Sequence, residues 1–76
     1  MKTTLDRLEP GQRGRVLELG LPPGERGSLT RLGLIPGTEL RCLCRSPLGD
    51  PAAYRFRSTE AALRRRDTER IEVELL

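Results

Sequence analysis

Residues 41–51 read RCLCRSPLGDP and hold the chain's two cysteines, Cys42 and Cys44, together with Asp50. On a strand, side chains two apart point the same way, so both thiolates can reach one soft metal ion. Two ligands do not close a site. Structural zinc takes four, and the chain has no histidine and no further cysteine. Asp50 adds a third only if its loop folds back. The competing reading is packing: Leu40, Cys42 and Cys44 alternate on one face, where cysteine serves as a small hydrophobe. Packing is the preferred reading, and Cys42 and Cys44 stay as metal-ligand candidates only. A disulfide between them is not expected in a reducing compartment.

Arginine is the second chemistry-bearing type. Of fourteen basic residues all but Lys2 are arginine, against eleven acids, for a net charge of +3. A hairpin that returns residues 58–67 onto residues 52–57 gathers Arg55, Arg57, Arg64, Arg65 and Arg66 on one side. Such a face suits phosphates of RNA or DNA. The simpler reading is a solvated face partly neutralised by Glu60, Asp67 and Glu69. Tyr54 and Phe56, the only aromatics, alternate to the opposite face, so single-strand recognition lacks its stacking platform. Nucleic acid is therefore not the expected partner.

Catalysis finds no support. Without histidine the commonest acid/base at neutral pH is missing. There is no Gly-rich phosphate loop opening a helix and no metal-binding H-x-x-x-H pattern. At 76 residues the chain is one small domain, 1–76, with a modest core and no room for a deep cleft. No apolar run is long enough to cross a bilayer, and the opening MKTTLDRLEPG lacks the apolar segment of a secretion signal. The cytoplasm is the expected compartment.

The elements that position these residues are short. LEPG (8–11), LPPG (21–24) and LIPG (34–37) each have the proline–glycine order of a type II turn. Between them, QRGRVLEL (12–19) reads as a strand, and GSLTRLGL (27–34) as one or two helical turns ended by Gly33. TELRCLCRS (38–46) and AAYRFR (52–57) alternate as strands, joined by SPLGDP. In that loop Gly49 supplies a left-handed residue, Asp50 accepts backbone N–H bonds, and Pro51 opens the next strand. STEAALRRRD (58–67) fits either a helix capped by Thr59 or a returning strand. RIEVELL (70–76) closes as a half-buried strand after a helical turn begun by Asp67. The sum is a mainly β domain of four or five strands and one small helix.

The order of these segments resembles the FeoA family of ferrous iron transport proteins. The resemblance is carried by Leu29-Thr30-Arg31-Leu32-Gly33-Leu34, Pro36-Gly37-Thr38, Pro47-Leu48-Gly49-Asp50-Pro51, Leu63-Arg64 and Ile71-Glu72-Val73. Upstream, LDRLEPGQRGRV is similar to the family's opening stretch, so the likeness spans nearly the whole chain. It implies an SH3-like β-barrel of about five strands with one short inserted helix, and makes 60–65 a strand paired back to 52–57. Ser58 stands where the family has a turn glycine, and Gly27-Ser28 where it has arginines.

The resemblance further implies a non-enzymatic accessory, without resident cofactor, that engages the membrane ferrous iron transporter carrying a GTPase domain. The chain would meet the membrane through that partner only. A 76-residue barrel cannot enclose every apolar residue around the helix. Leu29, Leu32, Leu34 and Ile35, with Arg31, are accordingly expected to form the docking edge. The alternatives are a basic nucleic-acid-binding barrel and a metal-responsive module.

Overall fold

Alternating apolar and charged residues build the sheet. In the computed structural model, which describes residues 1–76, β1 (Lys2–Thr4) leads through a 3₁₀ turn (Leu5–Arg7) to β2 (Arg13–Leu19). Helix α1 (Pro23–Leu32) follows, then β3 (Glu39–Arg45), β4 (Ala52–Phe56), β5 (Thr59–Leu63), the short α2 (Arg65–Thr68) and β6 (Ile71–Leu75). All neighbouring strands are antiparallel, in the order β1-β6-β2-β3-β4-β5. The expected mainly β domain with one inserted helix is observed, with six strands where about five were expected. The extra strand is β1, whose KTT carries no apolar alternation and which pairs only with β6.

The inward positions of every long strand meet in one core. Val16 and Leu19 come from β2, Leu40 and Cys42 from β3, and Tyr54 and Phe56 from β4. Leu63, Ile71 and Val73 close it from β5 and β6, and Leu5 and Leu8 plug one end. Each buried side chain of this size contributes about 1.5–3 kcal/mol relative to exposure.

Two of the three proline–glycine segments turn as expected, with Gly11 at φ 92° and Gly37 at φ 94°. The third does not. Pro23 and Gly24 open α1, because proline's fixed φ and missing N–H suit a helix's first turn. The helix therefore starts four residues before the expected Gly27. The ambiguous segment is the strand β5, in register with β4 from Ala52↔Leu63 to Phe56↔Thr59. Its two-residue turn places φ 56° on Arg57, not on Ser58. A positive φ at the first turn residue is the position where glycine is otherwise favoured.

The loop before β4 behaves as its residues imply. Gly49 takes φ 86°, and Asp50 Oδ1 accepts the Arg65 N–H at 2.9 Å. That bond satisfies a free donor at the start of α2 from across the fold. It also explains why α2 begins at Arg65 and not at Asp67.

Candidate docking surface

Helix α1 ends by a double hydrogen bond. The N–H of Gly33, at φ 102°, bonds to the Thr30 carbonyl at 2.9 Å, and the N–H of Leu34 to the Leu29 carbonyl at 3.0 Å. This left-handed termination brings the residue after the glycine back beside the residue five before it. Leu34 and Leu29 are accordingly both in the core, Leu34 with no exposed surface. The expectation that they belong to the docking edge is corrected: their side chains are sealed from any partner. The Leu-x-x-x-Gly-Leu spacing itself was the signal for that burial.

The other three expected residues stay outside. Arg31 and Leu32 are exposed, Leu32 to 45%, and Ile35 is half-buried. The backbone beneath them is tied down. Thr38, itself buried, donates its hydroxyl to the Gly33 carbonyl at 2.9 Å and accepts the Ile35 N–H at 3.3 Å. Arg57 Nε donates to the same Gly33 carbonyl at 3.2 Å, setting a cation at the helix's negative end. Sequence reading missed both anchors: Thr38 folds back on the turn just before it, and Arg57 reaches Gly33 from the far-off β4–β5 turn. The result is a small rigid edge of Arg31, Leu32 and Ile35.

The cysteines do not share a face. Cys42 pairs with Tyr54 but Cys44 pairs with Ala53, so Leu43 is the extra residue of a β-bulge. A bulge reverses the alternation. Cys42 is fully buried, Cys44 exposed, which corrects the expectation that both face inward. Burial pushes the Cys42 thiol above its usual range, partly offset by Arg45. A chelate by both thiolates has lost its geometric premise, and no group of three or more Cys, Asp or Glu side chains is placed to hold a metal ion.

The same bulge turns Arg45 inward. Its guanidinium donates to the carbonyls of Asp6, at 2.7 Å, and Leu8, fastening the 3₁₀ turn to β3. Beside it the Tyr54 hydroxyl reaches the Leu5 carbonyl at 3.4 Å, and burial pushes its pKa up to about 12.

Nor do the five C-terminal-half arginines converge. Arg55 and Arg57 lie at the turn end of the β4–β5 hairpin, while Arg64, Arg65 and Arg66 follow Leu63, which pairs with Ala52 at its far end. A five-residue strand separates the groups by roughly 17 Å. Arg55 also forms an ion pair with Glu60. The expected five-arginine face is therefore corrected, and with it the main support for nucleic-acid binding.

A protein-family model described as FeoA domain matches residues 3–75. The FeoA protein of Chlorobium tepidum is 34% identical, with a TM-score of 0.93 over 97% of this chain and 70% of that one. FeoA of Stenotrophomonas maltophilia, an SH3 domain protein solved with zinc, is 26% identical, with a TM-score of 0.80 over 95% and 89%. A manganese-dependent transcriptional repressor at 20% identity shares the fold alone, with a TM-score of 0.90 over 99% of this chain and 41% of that one. No curated protein matches the sequence. The sheet is thus of the SH3-like kind.

Proposed function

The chain belongs to the FeoA domain family, whose members are non-enzymatic accessories of iron transport, and from that premise we propose that it regulates ferrous iron uptake by protein–protein contact. Its partner is the membrane ferrous iron transporter that carries a GTPase domain, met on the cytoplasmic side. No helix is long and apolar enough to cross a membrane, and in this reading the partner supplies the membrane association.

One observation carries the docking assignment. The large exposed hydrophobics are Met1, Leu32, Leu48 and Leu76. Of these, only Leu32 lies on a helix or strand. It follows the exposed Arg31 in the helix and precedes Ile35, whose backbone N–H is fixed by Thr38. An exposed apolar side chain on a rigid support is suited to be the anchor of a small interface.

Replacing Leu32 with glutamate is expected to leave thermal stability within about 0.5 kcal/mol, since the residue is exposed and lies outside the core. Affinity for the detergent-solubilised transporter should fall at least about tenfold, because a charge would be desolvated on docking. Binding unchanged by Leu32→Glu and by Ile35→Glu would overturn the assignment.

A further inference from the structure

Across the outer face of the sheet, Arg13 on β2 stands opposite Arg41 on β3, and Arg41 stands opposite Arg55 on β4. Adjacent strands are about 4.8 Å apart, so three guanidinium stems rise within roughly 10 Å. Like charges directly opposite one another destabilise a sheet. The row is relieved only at its ends, by Glu39 on Arg13 at 3.4 Å and by Glu60 on Arg55. Arg41, in the middle, forms no ion pair. Around it lies an open cleft of about 250 Å³, lined also by Arg57.

We propose that this Arg13–Arg41–Arg55 row binds an oligophosphate anion. The planar forks of neighbouring arginines can each take two oxygens of a phosphate, and a chain of linked phosphates carries enough charge to bridge three of them. A lone carboxylate would occupy one fork and leave the others repelling. The cleft is smaller than the roughly 300–1,000 Å³ of sites that enclose drug-sized molecules, which suits a small anion. Phe56 lies at the cleft's floor but is only 1% exposed, and Tyr54 is equally buried, so no aromatic face is open to stack a base and recognition falls on phosphate. The end carboxylates do not block the site: both pairs are about half exposed, and such ion pairs exchange readily. The phosphates can be those of a soluble oligophosphate or of lipid headgroups.

Titration with inorganic triphosphate at low salt, followed by amide NMR shifts, tests the site. Saturable shifts confined to Arg13, Glu39, Arg41 and Arg55 and their neighbours are expected. Arg41→Gln should weaken binding at least about tenfold, and Arg41→Lys, which keeps the charge but loses the fork, by less. Arg66→Gln, an exposed arginine on α2 outside the row, should change it less than about twofold. Vesicles of phosphatidylcholine with and without phosphatidic acid separate the sources. Arg41-dependent binding to acidic vesicles assigns a headgroup, and triphosphate binding without vesicle binding assigns a soluble anion. Binding to neither probe, or equal losses from Arg41→Gln and Arg66→Gln, overturns the proposal.

Discussion

The end of α1 and the second half of β3 each reverse which side chains face the core, and they do so by different means. At the helix end the reversal rests on Gly33 in the left-handed region, which folds Leu34 back beside Leu29. In β3 it rests on Leu43, one extra residue that turns Cys44 out and Arg45 in. The first device leaves a mark in the sequence, because a side chain at φ 102° is strained and glycine is favoured there. The second leaves none, since a bulge of this kind asks no special residue type. Strand pattern alone therefore serves as a guide up to Cys42 and misleads beyond it.

The largest break in this comparison should come from Leu34→Ala. It empties part of the core at the helix end and is expected to cost about 2–5 kcal/mol in urea unfolding. A loss below about 1 kcal/mol would mean that Leu34 does not hold the helix to the core. The corresponding change beyond the bulge, Arg45→Met, keeps the stem but leaves the Asp6 and Leu8 carbonyls without their donor. About 1–3 kcal/mol is expected from that change. No loss would show that water replaces the guanidinium and that the bulge does not need it.

Tyr54 sharpens the comparison at the last regular pair before the bulge. Its pKa rises from 10.0 to about 12 through burial. A raised folded-state pKa means the native state holds the proton longer, so this contribution is complete below pH 10 and is lost as pH climbs towards 12. By pH 11 the loss is about 1 kcal/mol, read as a falling urea midpoint. Tyr54→Phe should reduce that alkaline slope, leaving the part contributed by the buried Cys42 thiol. The smallest effect is chemical. Iodoacetamide should label Cys44 in the native protein and Cys42 only after unfolding, and equal labelling would place both thiols on one face.

Legibility followed the same division. The two cysteines, Leu40, Tyr54 and Phe56 gave the strands β3 and β4 by alternation, and Tyr54 and Phe56 fell inward as read. The Leu29–Leu34 run announces a helix and its stop, but the limited room inside a small barrel, which set the expectation of a shared docking edge, does not say which apolar residues go inside. Ile35 stays half outside for the reason Leu34 goes in. The glycine moved the chain onto a new path, and the face of each later residue depended on it.

Composition and spacing alone determined that the domain is small, mainly β, without histidine chemistry, and ordered like the FeoA family. These properties are local, or add along the chain, so they survive without coordinates. The tertiary structure decided which arginines meet. Arg55 and Arg66 are closer in sequence than Arg13 and Arg55, yet only the latter stand in one row, through Arg41. Strand register sets such neighbours, and register is fixed by the whole core closing at once.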